Sequence, residues 1–279
     1  MKLQPKQILR RWFTGSAAIP NESFRRWHMV LSAIFAVQAV AILLFGAAHN
    51  VPIMAAYLIK DTLQSQLTHQ TVLAPAVRQL FMLNIAYVLA VLLFVMAVFH
   101  ALSATVLRAN YEAGLKQRSI RIRWIVYGMA LALMMAATAL AAGVYNLDAL
   151  LALLAFGLLA GVTGLVGEAL GAQPAKRDGQ LRSAVCAAAI VAAVLPLVMI
   201  VLFAVATGLY GNSTVSALVY GMLATVYVWI AAVAGNMYLV RKKIGKWATY
   251  GYGERWYLIL AVVLQSLLAW EVFVAVLRP

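Results

Sequence analysis

Seven stretches of this chain are each apolar over twenty or more residues, at about 29–48, 79–105, 124–144, 147–170, 184–209, 215–240 and 256–277. Runs of that length match the hydrocarbon core of a bilayer, because a helix rises ~1.5 Å per residue across a slab of ~30 Å. The chain is therefore expected to be an all-α membrane protein, a bundle of seven transmembrane helices. Of its 279 residues, 65% are hydrophobic and 11% charged, against roughly 45–50% apolar and 25% charged in soluble domains. That balance excludes a water-soluble enzyme, a disordered chain and a coiled coil. One cysteine, Cys186, excludes an intrachain disulfide framework and any multi-thiolate metal site.

The connections around Tyr145-Asn146 and Gly211-Asn212-Ser213 are very short, so the spans on either side of each must be antiparallel. The stretch 49–76 is the one long connection. Pro52, Asp61, Gln64, Gln66 and Pro75 make it too polar to span, and it is long enough to fold over the mouth of the bundle. The formal charge of +14 could point to nucleic acid, but the basic residues fall by topology instead. Nineteen of the 22 lie before the first span or in the second-to-third, fourth-to-fifth and sixth-to-seventh loops; only Lys60, Arg78 and Arg278 lie on the other side. Positively charged loops stay in the cytoplasm. The expectation is a multi-pass protein of the cell membrane with its N-terminus cytoplasmic and its C-terminus outside, with the bilayer and not nucleic acid as its surroundings. Residues 1–27 form a basic cytoplasmic segment and 28–279 the transmembrane domain. The first apolar run follows more than twenty polar and basic residues and continues at spanning length, so no cleavable leader is expected.

Ionisable residues inside a bilayer are costly and are functional suspects. His100 sits in the last turns of the second run and Glu271 towards the outer end of the seventh; each is open between a buried hydrogen-bonding role and a functional one. Asp148 and Glu168, at the two ends of the fourth run, are expected at the interface. His28, His49 and His69 fall at or outside the boundaries, which argues against a haem held by paired histidines. The scarcity of intramembrane charge also argues against an ion-coupled transporter or channel. In the fourth run Gly157, Gly161 and Gly164 give a helix face without side chains, suited to close helix approach. Such a face serves either as a seam between two copies or for packing against a neighbour in the same bundle. Ile8-Leu9-Arg10-Arg11-Trp12-Phe13 reads as an interfacial helix on anionic lipid or as a mobile basic tail. Asn212-Ser213-Thr214 fits a glycosylation pattern that is short and frequent.

The segment from Val219 to Val274 carries Gly245-Lys246-Trp247, Gly253-Glu254-Arg255 and then Ser266, Ala269 and Trp270. It resembles the sixth and seventh helices of heliorhodopsins, relatives of the microbial rhodopsins that insert with the N-terminus inside. Phe99-His100, Arg123-Trp124 with Tyr127, and Ala149-Leu150-Leu151-Ala152 with Glu168 extend the resemblance over most of the chain. It implies a rhodopsin-like bundle of inverted topology, and, together with the glycine face, a homodimer.

The chain departs from that family at two positions. The resemblance places the retinal-binding lysine immediately before Ser266, where this chain has Gln265, and the counterion glutamate immediately before Tyr127, where it has Val126. An amide nitrogen is not nucleophilic, so retinal cannot be held covalently at Gln265. The two changes are coherent, because a buried carboxylate without its cationic partner would be a liability. His100, which matches a histidine near the family's Schiff base, is expected to hydrogen-bond Gln265 or water, and Tyr227 and Trp229 to line what remains of the pocket. The expected function is that of a non-enzymatic signalling, regulatory or ligand-binding membrane protein. It would use no covalent cofactor and act through a cytoplasmic partner or an apolar ligand or lipid. The alternatives are a photoreceptor holding retinal or a carotenoid non-covalently, and a small transporter or channel.

Overall fold

A chain surrounded by lipid must satisfy its backbone N–H and C=O groups internally, and the seven apolar runs do so as helices. The computed structural model describes residues 21–171, 179–211 and 216–278. Helix α1 (Asn21–Phe45) is followed by strand β1 (Asn50–Lys60), the short helix α2 (Thr62–Thr68) and strand β2 (Leu73–Asn84). Then come α3 (Ile85–Ala104), α4 (Arg108–Gln117), α5 (Arg121–Ala141), α6 (Leu147–Gly171), α7 (Gly179–Tyr210), α8 (Ala217–Lys242) and α9 (Tyr250–Val272). All but α2 and α4 are long and apolar enough to cross a membrane. The stretch of basic and aromatic residues at 8–13, Lys176, Arg177 and the glycosylation pattern at 212–214 lie outside the described residues.

Several boundaries differ from the hydropathy reading, among them that of α9, which starts at Tyr250 rather than near 256. The second spanning helix starts at Ile85 rather than near 79, because residues 79–84 complete β2. Asn84 then caps α3, its side-chain oxygen accepting from the Ala86 N–H at 2.9 Å. The first helix starts at Asn21, two turns before the apolar run. Arg25 and Arg26 lie in its first turns with Arg26 exposed, while Phe24 and His28 turn inward and are buried. His28 therefore belongs to the helix interior and not to the boundary.

The long connection forms an antiparallel ribbon in which Asn50 pairs with Asn84 and Lys60 with Leu73. Its base is anchored: Val51 and Ile53 are buried, and the Met54 N–H donates to the Tyr145 carbonyl at 2.9 Å. Its distal half, from Leu58 to Leu73, is largely exposed, with α2 at the tip capped by Asp61.

Helix α5 is the hub of the bundle. Buried residues make up 78% of its spanning window, against 28% for α1 and α6. The glycine face of α6 lies against it. A Cβ at Gly161 would come within 2.6 Å of the Gly128 Cα and 2.7 Å of the Trp124 carbonyl; Gly157 faces the Ala132 backbone and Gly164 the Trp124 ring. That surface is occupied within the chain, so of the two uses the sequence left open for Gly157, Gly161 and Gly164, the structure shows packing against a neighbour in the same bundle. Van der Waals packing of small residues draws these two helices together in lipid. Gly161→Ala is accordingly expected to destabilise the fold by about 1–3 kcal/mol through overpacking, read as a lowered thermal midpoint in detergent. Further round the bundle, α7 packs along α6 but makes little contact with α8.

Candidate functional site

Three sets of side chains in the bundle bear on the site. The first ties four helices together at the end that carries the basic loops. Arg123, in the first turn of α5, is 2% exposed, and its guanidinium bonds Glu254 of α9 and, at 2.9 Å, Glu168 of α6. Glu254 also accepts from the Tyr111 hydroxyl of α4 at 2.8 Å, and Glu168 from the Trp124 indole and, at 2.5 Å, from the Tyr250 hydroxyl. The Arg123 carbon sits 4.0 Å from the Tyr257 ring centroid, a cation–π stack. Burial pushes the Tyr111 phenol well above its ordinary range, against the opposing pull of Arg123, so it stays a neutral donor. Glu168, near the end of α6 at the basic end of the bundle, is thus a largely buried ligand of Arg123. Sequence reasoning missed this group because nothing in the local pattern links positions 123, 168 and 254; the available signal was that each is an ionisable residue beside an apolar run.

The second set comprises Gln265 and a pair of histidines. Gln265 is fully buried in α9, and neither its amide oxygen nor its nitrogen has a hydrogen-bond partner among the described residues. His100 does not bond Gln265. His100 instead meets His28, with 2.8 Å between their Nδ1 atoms, so one ring donates and the other accepts. Phe35 stacks on His100 at 5.6 Å and Tyr111 meets His28 edge-on at 4.5 Å. Two histidines are therefore paired inside the bundle, contrary to the sequence reading of His28. Among the described residues, however, no cluster of three or more His, Cys, Asp or Glu side chains could hold a metal ion.

The third group lines a cavity of about 220 Å³ between α5, α6, α7 and α8. Trp229 and Tyr127 form part of its wall, with ring centroids 5.5 Å apart. The Trp229 indole N–H is buried without a partner among the described residues. Tyr227, two residues along α8, points away and is 58% exposed, which corrects its assignment to the pocket. Val126 is buried in the core, but neither it nor Gln265 lines the cavity. The five candidate positions therefore split into two separately buried polar side chains, Gln265 and His100, a core valine, one lining residue at Trp229 and one outward tyrosine.

Tyr127 donates its hydroxyl to the Tyr257 carbonyl at 2.7 Å and so fixes α5 to α9. Tyr257 lies eight residues from Gln265, roughly 12 Å along the helix. The described lysines, at 60, 116, 242, 243 and 246, are all exposed. No curated protein matches the chain. The heliorhodopsin family model matches residues 24–277, from the first turn of α1 to the end of the seventh spanning segment. With seven spanning helices in place and more than half of its length matched, the chain belongs to the heliorhodopsin family.

Proposed function

We propose that this chain is a heliorhodopsin that does without covalent retinal and works as a non-enzymatic ligand-binding or signalling protein of the cell membrane. Heliorhodopsins are light-sensing membrane proteins rather than enzymes, and retinal is the group their fold implies. The residues here do not fit it. The single observation carrying this reading is Gln265: at the position where the resemblance sets the lysine stands a buried amide without a partner among the described residues. An amide cannot condense with an aldehyde, and the described lysines are all exposed. Val126, in place of the counterion glutamate, supports the same reading, since a buried position offers a carboxylate no compensation once the cation is gone. The charge asymmetry of the loops supports an N-terminus on the cytoplasmic side.

Protein purified from cells fed all-trans-retinal is expected to show no visible absorption band; a band that bleaches with hydroxylamine would overturn the proposal. The aromatic wall made by Tyr127 and Trp229 favours one second reading, a polyene such as retinal or a carotenoid held without a covalent bond. A pigment that survives borohydride and leaves with mild organic solvent would identify it.

A further inference from the structure

Two cavities meet at the basic end of the bundle. The first, between α5, α6, α7 and α8, is walled almost wholly by carbon. The second, of about 280 Å³, is walled by Arg118, Arg123, Arg241 and Lys243 together with Glu168 and Tyr250. They share Trp124, Met237 and Arg241. On α8 the apolar cavity runs from Trp229 through Val233 and Met237 to Arg241. Twelve residues of helix cover roughly 18 Å, so the cavity is a slot and not a sphere. Its outer wall is the place where α7 makes little contact with α8, and half-exposed residues such as Ile190 and Tyr238 stand at that edge.

We infer that this slot binds a long-chain carboxylic acid, its hydrocarbon chain along Trp229 and Val233 and its carboxylate at Arg241. This rests on the reading that no retinal occupies the bundle covalently, and it names the class of ligand. Three observations select an acid with a single chain. An apolar volume of about 220 Å³ is too small for the two chains of a membrane phospholipid. Arg123 in the wall of the polar cavity is already balanced by Glu168 and Glu254, and Arg118, Arg241 and Lys243 leave that cavity cationic, which selects an anionic head. Arg241 is half-buried and uses part of its guanidinium on the Gly167 carbonyl and, at 2.9 Å, on the Cys186 sulfur. A guanidinium has five N–H donors, so it holds these contacts and retains donors for a carboxylate. The unpartnered Trp229 indole N–H in the slot is a further polar group that an entering molecule can meet.

The test uses the full chain in phosphatidylcholine nanodiscs, with 9,10-dibromostearic acid as the probe and tryptophan fluorescence as the readout, since Trp124 and Trp229 both line the slot. The acid is expected to quench saturably. Its methyl ester, which keeps the chain and loses the charge, should bind about tenfold more weakly, the scale of one charge-assisted hydrogen bond. Arg241→Gln should weaken the acid by a similar factor, and Ala189→Phe, which fills the slot from α7, should abolish saturable quenching. Should Arg241→Gln fail to fold, the comparison of acid with ester on the unaltered chain still decides. Equal affinity of acid and ester, or unchanged quenching in folded Ala189→Phe, overturns the inference. Absence of saturable quenching by the acid in a protein that stays colourless with retinal overturns the ligand class while leaving the retinal-free reading standing.

Discussion

Gln265→Lys combined with Val126→Glu is expected to turn a colourless protein into one that absorbs visible light when all-trans-retinal is added. The lysine supplies the amine that condenses with the retinal aldehyde, releasing water, and position 265 is already fully buried in α9. The glutamate supplies the charge that lets the resulting cation keep its proton away from bulk water. Gln265→Lys alone should bind retinal but absorb in the near ultraviolet, because a buried cation without an opposite charge loses its proton. Val126→Glu alone should be the less stable single variant, carrying an uncompensated buried carboxyl. The measurement is an absorption spectrum with a hydroxylamine bleach. A double variant that folds but stays colourless would mean that the interior beside Gln265 no longer admits the chromophore.

The second large effect lies at the opposite extreme of polarity. Arg123→Leu is expected to cost about 3–5 kcal/mol of stability, the usual penalty for leaving a buried charge without its partner. Glu254 is 1% exposed and would keep the Tyr111 hydroxyl, while Glu168 would keep the Trp124 indole and the Tyr250 hydroxyl. The penalty comes from stranding the carboxylates and not from the worth of the ion pair itself. Adding Glu254→Gln to Arg123→Leu should therefore recover part of the loss, which a double-mutant cycle of thermal midpoints in detergent would show. If the double variant is no more stable than Arg123→Leu, Glu254 does not carry the charge that Arg123 compensates.

Seven helices were legible because each apolar run is set by one requirement, the thickness of the hydrocarbon, which acts locally along the chain. The errors came where a second requirement competed. Residues 79–84 are apolar enough to extend a span, yet pairing with 50–53 satisfies their backbone as a strand. Arg25 and Arg26 break the hydropathy window, yet the helix continues through both with Arg26 turned outward, and so His28 was misplaced. The glycine face of α6 was legible as a close-packing surface, but spacing alone does not say whether the partner is α5 or another copy. At the site, Gln265 and Val126 could be read from the resemblance. The His28–His100 pair, the Arg123 group and the slot at Arg241 could not, since each joins residues tens of positions apart.

The ribbon that precedes α3 has a consequence for solution behaviour. Its distal part exposes Leu58, Ile59, Leu73 and Val77 on just two strands, both of them edges, the kind of surface that recruits further strands and seeds aggregates. Pro52 on β1 and Pro75 on β2 each lack an N–H, and Lys60 closes the free end of β1 with a charge. A strand approaching either flank would find a gap in the row of donors. The sheet is thereby held at two strands, and the protein keeps an apolar protrusion without a free template for polymerisation.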